Sequence, residues 1–467
     1  MNVQTLSSEI SPIGVSAPFQ SSRSGLPRSR YGSVGPWSVL WPFGEGSEAG
    51  SVSALLFLWT AAETSFLFSR KRQAMATRLY LDTARLGLMS PSAQQISREY
   101  AGLIASEGCS PFFEQFLWYG GDTWSARLRQ RFPTLAGWHG VEGLKSGIRR
   151  LAGFADDAPV FVAGRSCEVF RIAARFLCQS CEQVLTTASE WPGYLSILQQ
   201  EASKTHTKLV EVADSENSDV TATLVQAWNE RPCDGLFVSG INHLGRRIRL
   251  SQLLATLYPS PKCIVVDGAQ HFCHVPEETV RNIDFYIAGG HKWLRCGLPM
   301  GIGIAGRKST AESIQSFVHE HVRSRATGDP LLNLIECHAL SQQKCCGETV
   351  NVAPLLHCHA AMIDASEFFL NGRQQFARRL TNGQELQEAL KQSGWNAAND
   401  LDSGIVVLHP TDEDVSRSPP TTIRCAFQER GIAVSAFAGG LVRLSMPAEK
   451  LTGKQVQRIT RTCHRLA

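Results

Sequence analysis

The chain has 467 residues, 43% hydrophobic and 19% charged, a composition that supports a sizeable core and excludes an intrinsically disordered protein. Lys plus Arg exceed Asp plus Glu by only 46 to 42, a net charge of +4 that is too weak for a nucleic-acid surface, so small molecules are the expected partners. The length suits two domains, or one large domain with a smaller satellite.

Residues 1–74 differ in texture from the rest. SSRSGLPRSR is rich in Ser, Arg and Pro, and no basic run is longer than Arg70, Lys71 and Arg72. Val52–Phe68 (VSALLFLWTAAETSFLF) is apolar but shorter than the ~20 residues of a spanning helix, and it carries Glu63. A carboxylate at mid-span costs about 2.5–3.5 kcal/mol. We expect a poorly structured extension and no membrane partner; a leader or anchor is the alternative reading. Met75, which opens the well-patterned MATRLYLDTARLG, is an alternative start of translation.

From Ala158 to Gly306 seven short apolar runs recur: APVFVAG, QVLTTAS, TKLVEVA, GLFVSG, KCIVVDGA, DFYIAGG and MGIGIAG. Most are continuous rather than alternating, as suits strands covered on both faces. Segments of helical length separate most of them: Ser166–Cys178, Trp191–Ser203, Ser218–Arg231 and Leu250–Tyr258. The pattern predicts right-handed βαβ units and a mostly parallel sheet of about seven strands with helices on both faces, the α/β class. Ligands on such sheets bind beyond the carboxyl ends of the strands. Past residue 310 come two longer amphipathic stretches, Ala353–Phe369 and Gly372–Gln392. The strand-like runs GIVVLHP, GIAVSAF and LVRLSMP follow, with a closing helix after Thr452. We therefore expect a large ligand-binding domain over residues 75–330 and a smaller α+β domain over 331–467. The 14 cysteines are scattered, and the CxxC pair Cys178 and Cys181 lacks a second pair or histidines at zinc spacing. They read as reduced thiols of a cytoplasmic protein.

Asp267 ends the fifth run, and Lys292 lies 25 residues further on, just past the sixth. The plain reading is an ion pair. Yet a lysine in a dry pocket loses its proton more easily and attacks aldehydes, and a carboxylate facing a pyridine nitrogen keeps that nitrogen cationic. Pyridoxal phosphate needs both groups, on opposite sides of one ring. Its phosphate would find a place after the first run, where GRSCEVFRIAARFL puts Gly164 in a tight turn and Ser166 and Cys167 at the start of a helix, whose free N–H groups and dipole favour an anion.

VVDGAQHFCHVP followed by DFYIAGGHKWLRCGLPMGIGIAG resembles, in order and spacing, the class V aminotransferases. These fold-type I pyridoxal-phosphate enzymes include cysteine desulfurases, kynureninase, serine–pyruvate and phosphoserine aminotransferases and isopenicillin N epimerase-like proteins. The resemblance extends over about residues 78–465. It implies that Lys292 bonds the cofactor's aldehyde and shuttles the substrate's α-proton, that Asp267 pairs with the pyridine nitrogen, and that Gln270 lies near the phenolic oxygen. His291 resembles the family's phosphate-side histidine. SEWPGY puts Trp191 where the family stacks a ring on the cofactor face; a core tryptophan at a helix start is the alternative. VSGINHLGRRI is similar to the family's Val-Ser-Asn-x-x-Gly stretch, which implies that Asn242 contacts the phenolic oxygen or the substrate carboxylate. LVRLS resembles the place where the family holds an arginine, which implies that Arg443 clamps that carboxylate, an exposed surface arginine being the alternative. GETVNVAPL resembles the segment that reaches a neighbouring subunit's cofactor phosphate, which implies a homodimer with Thr349 contributing across its interface.

Two departures bear on activity. Gly289 stands where many relatives have Ser or Thr, which removes a phosphate hydroxyl and leaves Arg165 or Ser166 to compensate. GIAVSAFAGGLVRLS holds no cysteine, and a persulfide mechanism needs that thiol, so desulfurase activity is not expected. His271, His274 and the HCH at 357–359 read as structural histidines, and no metal is expected. The expected function is a class V aminotransferase acting on an amino acid. A lyase or epimerase of the same family is the alternative, followed by a catalytically idle protein of this fold. A Rossmann oxidoreductase is set aside because no G-x-G-x-x-G follows the first strand.

Overall fold

The computed structural model describes residues 78–466 apart from 109–110, 214–218, 232, 277–281, 342–348, 392 and 399–400. The extension over residues 1–74 and the start at Met75 lie outside the described residues. Met75–Ala467 forms one compact unit, which holds every element below.

All seven apolar runs are strands of one sheet: β2 (Val160–Ala163), β3 (Gln183–Thr187), β4 (Lys208–Val212), β5 (Gly235–Ser239), β6 (Cys263–Asp267), β7 (Phe285–Gly289) and β8 (Gly301–Ala305), preceded by the short β1 (Leu79–Tyr80). The order is β2-β8-β7-β6-β5-β3-β4, with β8 antiparallel to both its neighbours and the other pairs parallel. Successive side chains enter different cores. Leu236, Val238, Ile264, Val266 and Tyr286 face one apolar cluster, whereas Phe237, Val265, Phe285 and Ile287 face the other. Two covered faces make the strands continuously apolar, and burying each such side chain contributes about 1.5–3 kcal/mol.

The helices between strands run Ser166–Ser180, Pro192–Thr205, Val220–Glu230 and Leu250–Thr256, close to the expected spans. The two stretches expected at 353–369 and 372–392 are instead one helix, Ala353–Leu390. Its interior holds no proline, and Gly372, buried there, weakens the helix by only about 1 kcal/mol. The helix packs along Pro91–Glu107, where Asp364 accepts from the backbone N–H and the hydroxyl of Ser92.

A second sheet holds β9 (Trp395–Ala397), β10 (Ile405–Pro410), β12 (Ser435–Ala436) and β13 (Val442–Ser445), in the order β12-β13-β10-β9. The run GIAVSAF is not one strand. Its first half, β11 (Ile432–Ala433), pairs parallel with β1, and its second half, β12, pairs antiparallel with β13. Gly453–Leu466 is the closing helix. Among the described residues no helix is long and apolar enough to cross a membrane.

Candidate active site

A cleft of about 600 Å³ opens at the carboxyl ends of the parallel strands. Most of the loops there contribute: Ser166 after β2, Trp191 and Tyr194 after β3, His243 after β5, Asp267 at the end of β6, and His291 with Lys292 after β7. From the smaller sheet come Ser435 and Arg443, and from the turn after β12 comes Phe437.

The loop of Lys292 is braced by the segment that follows β1. The N–H of Gly87 donates to the carbonyl of His291 (2.8 Å), and the N–H of Ser90 to that of Arg295 (3.0 Å). A Cβ on Gly87 would lie 2.1 Å from the Lys292 carbonyl oxygen, so only glycine lets the two backbones approach this closely. Burial brings the Lys292 amine down to about 8; Asp267 pulls it up and Arg443 pushes it down.

Asp267 is buried, and burial raises its carboxyl pKa against the opposing pull of Lys292 and of the Ala269 N–H, which donates at 2.8 Å. Beside it stands a residue that sequence reasoning passed over. Glu190, 1% exposed, accepts from Thr187 Oγ1 (3.0 Å), the Ser239 N–H (3.1 Å) and Ser239 Oγ, and Ser239 Oγ also lies 3.4 Å from Asp267 Oδ2. Ser239 and Asp267 are register partners at the ends of β5 and β6, and Glu190 follows the adjoining β3. Burial pushes the Glu190 carboxyl up to about 7.

The other expected residues are placed as follows. Gln270 lines the cleft, with its amide committed to the Ala84 carbonyl (2.7 Å) and the Trp293 indole N–H (2.9 Å). His291 lines it too; burial holds its imidazole at about 4, and its buried Nδ1 has no partner among the described residues. A Cβ on Gly289 would meet the His291 ring at 3.2 Å, so a Ser or Thr there would press on the imidazole and shift it slightly. Trp191 is no core residue: 46% exposed, it lines the cleft and meets Tyr194 edge-on at 5.1 Å. Nor is Arg443 a surface arginine. It is buried, donating to the His243 carbonyl (2.8 Å) and Ser435 Oγ (3.3 Å), and burial lowers it to about 10.

Three expected residues are not among those lining the cleft. Asn242 is committed to its own turn, accepting from the Leu244 and Arg246 N–H groups (3.0 Å each) and donating to Ser189 Oγ (2.9 Å). Cys167 turns its thiol onto an apolar cluster, leaving its backbone at the helix start. Thr349 is exposed. The histidines read as structural are engaged locally. His271 pairs with Tyr286, His274 with the Gln270 carbonyl, His357 with that of Cys296 and His359 with that of Gly137.

Sequence reasoning also missed Tyr194, hydrogen-bonded to Ser166, and the arginines Arg85 and Arg424. SEWPGY held a signal for Tyr194, three residues past Trp191 on the first turn of a helix.

Pyridoxal phosphate fits this set of residues. Lys292 and Asp267 share the cleft with His291, whose buried Nδ1 makes no hydrogen bond to a described residue. The helix from Ser166 begins without a side-chain cap, leaving its first N–H groups to an anion.

Residues 134–324 match the family model "Aminotransferase class-V". Among curated proteins no sequence matches significantly. Solved structures share the fold. The cysteine desulfurase CsdA of Escherichia coli is 17% identical with a TM-score of 0.60, over 85% of this chain and 96% of that one. Ureidoglycine–glyoxylate aminotransferase of Bacillus subtilis is 13% identical with a TM-score of 0.58, over 85% and 94%. A variant of C-DES with glycine covalently linked to its PLP cofactor is 14% identical with a TM-score of 0.59, over 83% and 97%. Residues 134–324 are thus similar to the class V aminotransferases, and the chain shares the fold of these solved pyridoxal-phosphate and related structures.

Proposed function

We propose that this chain is a pyridoxal-phosphate enzyme that transfers the amino group of an amino acid. The observation that carries the reading is Lys292, an amine brought down to about 8 in the same cleft as the buried Asp267 and Arg443. Bound there, the cofactor supplies an aldehyde that captures amines and a pyridinium ring that draws electrons from the substrate's α-carbon. Lys292 would hold the aldehyde and, as a free amine, would take the α-proton on Nζ and deliver it where the amino group's transfer requires. Asp267 keeps a negative charge at the ring nitrogen, with Ser239 and the Ala269 N–H fixing its carboxylate. Trp191 covers a ring face, and the N–H groups at the start of the Ser166 helix, with His291, hold the phosphate. Arg443 orients the α-carboxylate, its planar fork giving two parallel hydrogen bonds. Asn242 acts through its turn, which sets the neighbouring His243 against the cleft. Thr349 belongs to the interface of a homodimer, and the free cysteines suit a cytoplasmic protein.

Desulfurase chemistry is disfavoured because, among the described residues, no cysteine lines the cleft. The test is turnover by the full chain loaded with pyridoxal phosphate, with amino acids offered singly. Keto-acid formation that requires a keto-acid acceptor is the expected result. Ammonia release without an acceptor would replace transamination by a lyase reaction, loss of optical activity alone would make the chain an epimerase, and no turnover of any amino acid would leave an idle protein.

A further inference from the structure

The cleft carries more positive charge than one amino acid needs. Arg85, Arg424 and Arg443 all line it, reaching in from the segment after β1, the helix Pro420–Glu429 and β13. The counter-charge they share is Asp82, the carboxylate on which all three guanidinium groups act. Asp82 lies 3.9 Å from Arg443 Nη2 and accepts from Ser435 Oγ at 2.6 Å. Within the cleft Lys292 and Asp267 balance each other, and Asp82 balances one arginine. Among the protein's own side chains two cationic charges remain, apart from the Ser166 helix start and His291 to which the cofactor's phosphate is given. Neither Arg85 nor Arg424 makes an ion pair or a side-chain hydrogen bond with a described residue, and they sit where the cleft meets a neighbouring hollow lined by Asp82. A substrate's α-carboxylate satisfies Arg443 and leaves the other pair facing whatever the substrate carries further out.

We propose that the cleft selects α-amino acids with a second anionic group on the side chain, a carboxylate or its phosphate or sulfinate equivalent, held by Arg85 and Arg424 while Arg443 holds the α-carboxylate. The proposal rests on the role given to Arg443 above. A charge-assisted hydrogen bond to guanidinium makes one distal anion a factor of about ten to a hundred in affinity.

The probes are glutarate and succinate, against butyrate as a monocarboxylate of similar length. Titration calorimetry on the full chain, with and without pyridoxal phosphate, gives dissociation constants, and amino-donor rates are compared for aspartate, glutamate and alanine. The dicarboxylates are expected to bind about ten- to a hundredfold more tightly than butyrate. In Arg85→Gln and Arg424→Gln that ratio shrinks toward one, whereas Arg443→Gln weakens both classes. Equal binding of the two classes, or a ratio untouched in both single variants and in the double variant, would overturn the proposal. Calorimetry on the unloaded chain separates the two claims: selective dicarboxylate binding with no cofactor uptake would sink the cofactor reading alone, and normal cofactor uptake without selectivity would sink only this one.

Discussion

Replacing Glu190 by Gln tests the buried network behind Asp267. The carboxyl of Glu190 sits at about 7 rather than 4.5 because burial penalises its charge more than Ser239 and Thr187 relieve it. The folded chain therefore binds a proton there that the unfolded chain has released. That contribution to stability is complete below about 4.5 and is lost as pH rises through about 7. A displacement from 4.5 to about 7 corresponds to about 3 kcal/mol. The Gln amide keeps an acceptor for the Ser239 N–H and a donor for its hydroxyl but does not titrate. Urea unfolding of both proteins at steps from about pH 5 to about pH 8 should show the wild type losing about 3 kcal/mol relative to the variant, most of it between about 5 and 7. Parallel stability profiles would refute the reasoning, as would a loss confined to alkaline pH.

Three further outcomes follow from the same geometry. Because burial brings Lys292 to about 8, the rate at which the unloaded chain captures pyridoxal phosphate should climb with pH and level off near about 8; a climb continuing toward 10.5 would mean an amine in water. Gly87→Ala places a methyl 2.1 Å from the Lys292 carbonyl oxygen, so it should lower stability by about 1–3 kcal/mol and slow that capture, both read from unfolding midpoints and cofactor absorbance. Asp267→Asn leaves the ring nitrogen without its anion and should cut turnover by about a hundredfold or more while the cofactor still binds; unchanged turnover would remove Asp267 from the chemistry.

The sheet was legible because both its faces are covered: Leu236, Phe237 and Val238 are all apolar although they enter different cores. The placement of Asp267, His291 and Lys292 at strand ends was legible from local strings. Glu190 was not, since its meaning depends on Ser239, 49 residues away, and a glutamate in a loop reads as a solvated charge. Arg85 and Arg424 were hidden for the same reason, because only the pairing of β1 with β11 brings their segments together. That pairing also splits GIAVSAF, whose two halves serve different sheets, a division that no periodicity within seven residues reveals. In Asn242 the residue type suited a ligand contact, but the tertiary turn had already claimed its amide.

The central claim is that Lys292 is the amine that holds the cofactor. The full chain is incubated with pyridoxal phosphate, reduced with borohydride to make the bond permanent, digested and mapped by mass spectrometry, in parallel with Lys292→Ala. The account predicts one cofactor-bearing peptide, the one that contains Lys292, and no visible absorption band in the variant. Label spread over surface lysines, or an unchanged band in Lys292→Ala, would contradict it.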